Sequence, residues 1–156
     1  MDLWELAARE AIRETVAAYA QYADSGRFDE FAALFAPDGV LEVHGQDPVA
    51  GRDAIRNYLG GVGSGLARDT TVPLIRHHVS NLRIDLLSPT EARGACYFLA
   101  VTEHGLDHWG RYRDRYVPDG DRWLFTHRFV RTDGTTPGGW AAGRRLAPNR
   151  RGHGTA

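Results

Sequence analysis

The chain contains no lysine: all 19 of its basic residues are arginine. That excludes a Schiff-base lysine and the lysine of a phosphate-binding loop. The one cysteine, Cys96, has no partner for an internal disulfide, which favours a reducing compartment and points to the cytoplasm. No segment approaches the roughly 20 apolar residues that a membrane helix requires. Met1-Asp2-Leu3-Trp4-Glu5 carries acids where a secretory leader would be basic. A net charge of −1 leaves no basic surplus for nucleic acid. With no cysteine cluster and no His-Glu-x-x-His pattern, neither a metal centre nor any other cofactor is expected. Gly60-Gly61-Val62-Gly63-Ser64-Gly65 lacks the Gly-Lys-Ser/Thr ending of a phosphate loop, and Val62 stands where a Gly-x-Ser-x-Gly elbow needs glycine.

What is present suits one domain. At 156 residues, 42% hydrophobic and 25% charged, the chain can bury a substantial core and is short for two. Residues 2–23 read as an amphipathic helix, with Leu6, Ile12, Val16, Tyr19, Ala20 and Ala23 on one stripe and Asp2 and Glu5 at capping-box spacing. Asp24 falls about 40° round from Ala20, placing a carboxylate at the inner edge of an apolar face. A short helix over 28–35, a strand over 40–44 and a third helix over 51–59 follow, and then a glycine-rich loop from Gly60 to Gly65. Four strand-like runs occupy 74–87, 90–104, 107–117 and 121–132, separated by turn residues such as Pro118-Asp119-Gly120. Helices followed by a long antiparallel meander predict an α+β domain over residues 1–134. Residues 135–156, rich in Pro, Gly and Arg, form a tail that is irregular unless it docks. A sheet curved around a helix leaves a hollow suited to a small molecule.

The candidate chemistry centres on Asp24 and His77. A carboxylate against one imidazole nitrogen fixes the tautomer and makes the other a general base. The same residues are compatible with a capped helix end and a rim histidine beside Arg76. His77 and His78 are adjacent, so only one faces a pocket. Leu82, Ile84 and Leu86 share the phase of His78, and a β-bulge near Ser80 would bring His77 onto their face. His104 and His108 would lie about 13 Å apart on an extended strand, with Gly105-Leu106-Asp107 as the bend between them. Tyr19, Tyr22, Tyr58, Tyr97 and Tyr112 supply phenols on elements expected to line the hollow, as does Tyr116, although most such phenols are core residues with a satisfied hydroxyl. Tyr112, Asp114 and Tyr116 share one strand face, and Asp114 is expected to pair with Arg128 on the neighbouring strand. Cys96 reads as a core thiol.

The order Tyr19-x-x-Tyr22-Ala23-Asp24, Phe31-x-x-Leu34-Phe35-x-x-Asp38-Gly39 and Gly51-Arg52-Asp53-Ala54-Ile55 resembles the SnoaL-like group of the nuclear-transport-factor-2-like superfamily. So do Arg76-His77-His78-Val79-Ser80-Asn81, Gly110-Arg111-Tyr112-x-Asp114 and Asp119-Gly120-Asp121-Arg122-Trp123. The resemblance spans about residues 4–133. It implies a cone-shaped α+β barrel with a pocket, and a homo-oligomer, dimer or trimer. Scytalone dehydratase and hexachlorocyclohexane dehydrochlorinase are the catalytic parallels, each with an aspartate at the end of the first helix supporting a strand histidine. On that parallel His77 is the base, Asp24 its orienter and His108 the nearest counterpart of the dehydratase's second histidine. Tyr19 stands where the dehydrochlorinase has lysine, so halide abstraction is not implied.

The expected function is cofactor-independent acid–base chemistry of lyase, isomerase or cyclase type on an apolar, oxygenated, polyketide-like molecule. Tyr19, Tyr22, Tyr58, Tyr97, Tyr112, His108 and Arg128 are its candidate binding residues. The alternatives are a non-catalytic ligand-binding or structural subunit, and an epoxide hydrolase or epoxide-opening cyclase with Glu42, Asp114 or Glu103 as its acid.

Overall fold

The structure, a computed structural model, describes residues 1–67 and 74–142. Helix α1 (Leu3–Asp24) and the short α2 (Phe28–Ala32) precede β1 (Phe35–Val43) and β2 (Val49–Ala50). Helix α3 (Arg52–Ala67) then leads to four long strands: β3 (Arg76–Ser88), β4 (Glu91–Thr102), β5 (Gly105–Asp119) and β6 (Arg122–Thr135). They form one six-stranded sheet in the order β2-β1-β6-β5-β4-β3. The meander β3 to β6 is antiparallel, whereas β1 joins β6 in parallel. This is an α+β fold with a mixed sheet, and β2 and β3 remain as edges, so the sheet does not close into a barrel.

Helix α1 begins at the expected capping box of Asp2 and Glu5, in which Glu5 accepts a hydrogen bond from the Asp2 backbone at 2.7 Å. Its buried stripe starts at Ala8, since Leu6 is exposed, and continues through Ile12, Val16, Tyr19 and Ala20. Each large apolar side chain on it stabilises the fold by roughly 1.5–3 kcal/mol. Two hydrogen bonds fix the helix across the sheet: Arg9 Nη1 donates to the Ile84 carbonyl at 2.8 Å, and Thr15 Oγ1 to the Trp123 carbonyl at 2.6 Å. The register of α1 is therefore set against both β3 and β6, and this delivers Asp24 to the start of β3.

The expected glycine loop at Gly60–Gly65 is instead the second half of α3. Glycine weakens a helix by about 1 kcal/mol per residue but does not forbid it. The apolar spacing Ile55, Leu59, Val62, Leu66 carries a helical period straight through the glycines. The bend expected at Gly105-Leu106-Asp107 is also displaced. The turn is Glu103-His104, and Gly105, at φ 102°, already pairs with Thr102. Among the described residues no helix is long and apolar enough to cross a membrane.

Candidate active site

Two β-bulges arrange the polar residues on the helix-covered face of the sheet. In β3 the register slips between Ser80 and Arg83, and Asn81 takes a positive φ of 57°. This bulge resolves the phase conflict in the sequence: His77 and Val79 turn inward before it, and Leu82, Ile84 and Leu86 after it, while His78 is exposed. In β5 the register slips where Ala100 pairs with His108 and Val101 with Leu106. Asp107 is the extra residue. Consecutive residues of a regular strand face opposite ways, yet here Asp107 and His108 are both buried.

The end of α1 meets the start of β3 in a two-point contact. Asp24 Oδ1 lies 2.6 Å from His77 Nδ1, and its Oδ2 accepts the His77 backbone N–H at 2.8 Å. The Asp24 side chain is 11% exposed and that of His77 24%. An ionised carboxylate only accepts hydrogen bonds, so Nδ1 carries the proton and Nε2 is the basic nitrogen.

His77, Ala100 and His108 occupy one register row across β3, β4 and β5. Their backbones are two strand spacings apart, about 9.6 Å. The small, fully buried Ala100 leaves room between them, and the two imidazoles lean together to 6.0 Å between ring centroids at 80°. Phe98 closes one side, 6.2 Å from His77 and 5.8 Å from His108. His108 Nδ1 lies 2.7 Å from Asp107 Oδ2. The result is two carboxylate-held imidazoles facing each other across an apolar floor.

Deeper on this face, Arg128 is 0% exposed and pairs with Asp114 through Nε–Oδ1 and Nη2–Oδ2, both at 2.8 Å. Tyr19, Tyr112 and Phe125 surround the guanidinium with ring centroids 4.0–4.2 Å from Cζ. Nη1 makes no hydrogen bond to any described residue. Burial pushes the Tyr19 phenol up to about 12 despite the nearby Arg128 cation, and holds that of Tyr112 well above its ordinary value. Both phenols stay protonated at neutral pH. Tyr112 stacks on Phe98 at 4.6 Å, so an aromatic chain links the arginine to the histidines.

The other candidates are scattered. Tyr22 is half-buried under the Arg27 guanidinium near the end of α1, and the Tyr58 hydroxyl donates to Gln46 Oε1 at 3.0 Å. The expectation for Tyr97 is corrected: it is 58% exposed on the opposite face of β4, because the inward phase there is Cys96, Phe98 and Ala100. That opposite face also carries an open groove of about 680 Å³ whose lining includes Arg83, Asp85, Arg93, Arg113, Arg115 and His127 but neither His77 nor His108. Of the acids considered for epoxide opening, Asp114 is committed to Arg128 and Glu42 to His127 Nε2 at 2.8 Å, while Glu103 lies in the exposed hairpin turn.

Two participants were not anticipated. The sequence puts Asp107 in a bend and Trp140 in an irregular tail, yet the Trp140 ring lies 6.0 Å from that of His108. The Asp107-His108 adjacency was visible in the sequence, but only the bulge turns it into a contact. Residues 143–156 of the tail lie outside the described residues.

A model of the SnoaL-like domain matches residues 4–129. The chain belongs to the SnoaL-like family. It is similar to a Novosphingobium aromaticivorans protein provisionally named a scytalone dehydratase, with 31% identity, TM-score 0.74, and coverage of 87% of this chain and 91% of that one. An NTF2-like protein with a cystatin-like fold from the same organism is 24% identical, with TM-score 0.72 and coverage of 85% and 86%. The structure of LinA shares the fold at 22% identity, TM-score 0.75 and coverage of 94% and 98%. No curated protein sequence matches the chain.

Proposed function

We propose that this SnoaL-like chain is a cofactor-independent acid–base enzyme of the lyase, isomerase or cyclase type. Its substrate is read as an apolar, oxygenated, polyketide-like small molecule. The observation that carries the reading is the 2.6 Å contact between Asp24 and His77 Nδ1, on an apolar face with a second imidazole 6.0 Å away. The resemblance to a relative provisionally named a scytalone dehydratase supports a dehydration or a related proton transfer.

In this reading His77 Nε2 removes a proton from a carbon next to a carbonyl. The C–H electron pair passes into the carbonyl to give an enolate. Reforming the carbonyl expels a β-hydroxyl, which leaves as water with a proton from an imidazolium; protonation at another carbon gives isomerisation instead. Asp24 holds the tautomer and stabilises the imidazolium, an arrangement that contributes about 10²- to 10⁴-fold. Tyr19 and Tyr112 are read as the donors to a substrate oxygen in a site of low dielectric, with Arg128 as the buried cation behind their rings, and His108 as the group that handles the departing hydroxyl.

The chain is further read as a homo-oligomer. Tyr97, Leu99 and Trp109 are exposed large side chains on the outer face, with Leu99 directly opposite Trp109 across the β4–β5 ladder. An apolar cluster of this kind suits a subunit contact.

The test is turnover of a panel of β-hydroxy aromatic ketones, followed by the absorbance of the unsaturated product. His77→Ala and Asp24→Asn should each lower the rate at least about 100-fold with an unchanged circular dichroism spectrum. Near-normal turnover in both variants removes the dyad from the mechanism.

A further inference from the structure

Besides His108, Asp107 has partners on the chain leaving β6 that the acid–base reading does not use. Its carboxylate is almost fully buried and accepts from three donors: His108 Nδ1 through Oδ2 at 2.7 Å, the Trp140 N–H through Oδ1, and the Ala141 N–H through Oδ2 at 3.2 Å. Its backbone carbonyl also accepts the Thr136 N–H at 2.7 Å. The chain leaving β6 is therefore folded back onto one residue. A Cβ on Gly139 would meet Asp107 Oδ1 at 2.7 Å and the Thr136 carbonyl at 3.0 Å, so this approach requires glycine at that position.

We infer that Asp107 is a positioning residue that holds His108 and seats the 136–141 segment with a single carboxylate, so that docking of the segment sets the orientation of the second imidazole. The inference rests on the acid–base reading of the site only for its catalytic meaning. The geometry favours it in two ways. The β5 bulge turns Asp107 inward beside its own neighbour, which a regular strand cannot do. And Oδ2 is shared between His108 and Ala141, so a change at one partner is felt at the other. With the segment seated, Trp140 forms a wall beside His108, and acid–base chemistry at this ring runs through Nε2.

A carboxylate serves three donors at once; an amide does not, because one of its oxygens becomes an NH₂ group. Asp107→Asn must therefore give up either the segment or the Nδ1–H form of His108. Gly139→Ala keeps the Asp107 carboxylate and the His108 ring chemically intact and acts from the segment side, where its methyl presses on Asp107 Oδ1 and the Thr136 carbonyl. The experiment is nitrogen-15 NMR of histidine-labelled full-length protein, paired with hydrogen exchange at the Trp140 and Ala141 amides. Neither readout needs a substrate, so the outcome is independent of whether His77 proves catalytic.

The wild type should show His108 protonated at Nδ1 and both amides protected. Asp107→Asn should flip the His108 tautomer or speed exchange of the Trp140 amide at least tenfold. Gly139→Ala should speed exchange at both amides and also move the His108 nitrogen signals, while those of His77 stay put. Unchanged His108 signals in Gly139→Ala with the segment released would overturn the coupling. Wild-type behaviour of both readouts in Asp107→Asn would overturn the clamp itself. Should Asp107→Asn fail to fold, the Gly139→Ala arm decides the coupling alone.

Discussion

Replacing Asp114 by asparagine isolates the buried charge at the centre of the sheet. The change keeps the volume, removes the negative charge, and turns one acceptor oxygen into a donor facing other donors. Asp114 receives two bonds from Arg128 and one from the Tyr116 hydroxyl, all at 2.8 Å, and both charged side chains are 0% exposed. Burial would by itself drive the guanidinium toward neutrality, but Asp114 outweighs it and holds the Arg128 pKa well above its ordinary value. In the variant that cation stays charged, and the rings of Tyr19, Tyr112 and Phe125 wall it off from water. Breaking one side of such a pair costs about 3–5 kcal/mol. For a chain of this size that lowers the melting temperature by about 6–20 °C. Urea and thermal unfolding followed by circular dichroism measure the loss. The double variant Asp114→Asn/Arg128→Met should recover most of it, because removing the stranded charge removes the penalty. A cost below about 1 kcal/mol for Asp114→Asn, or a double variant that merely sums the two singles, refutes the reasoning.

Three further outcomes are expected. Burial pushes the Cys96 thiol from 9.0 up to about 12, so iodoacetamide should label it about 10³-fold more slowly than the unfolded chain near pH 8. By the same shift the unfolded chain releases a proton that the folded chain keeps between pH 9.0 and about 12, so stability falls as pH rises through that window. Gly110→Ala would drive a Cβ into the Arg131 carbonyl across the β5–β6 ladder, and denaturant titration should show a loss of more than about 3 kcal/mol, because the obstacle is backbone. Trp109→Glu should lower the mass seen by light scattering if Tyr97, Leu99 and Trp109 form the subunit contact, and leave it unchanged if they do not.

Much of the site was legible because its signals are periodic. The apolar stripe of α1 put Asp24 at the inner edge of the helix, and the clash of phase between His77 and Leu82 called for a bulge where Asn81 makes one. Strand alternation put Tyr112, Asp114 and Tyr116 on one face with Arg128 on the next strand, and the register sets Asp114 opposite Arg128. Legibility failed where a pattern had two solutions. In β4 both faces are apolar, Cys96 and Phe98 on one and Tyr97 and Leu99 on the other, so nothing local marks Tyr97 as outward. The glycines of α3 read as a break because propensity is local, whereas the helix is held by its tertiary contacts with α2 and β1. Asp107 and Trp140 carry no local signal, because the bulge is a slip of register against β4 and the tail docks on a residue 33 positions away.

Deuterium wash-in from heavy water tests the account's central claim most directly, because it reads proton abstraction without requiring a complete reaction. Proton NMR of the same ketone panel should show enzyme-dependent loss of the hydrogen next to the carbonyl, slowed at least about 100-fold by His77→Ala and by Asp24→Asn. Exchange that persists at the wild-type rate in folded His77→Ala, or no exchange with any ketone, would contradict it.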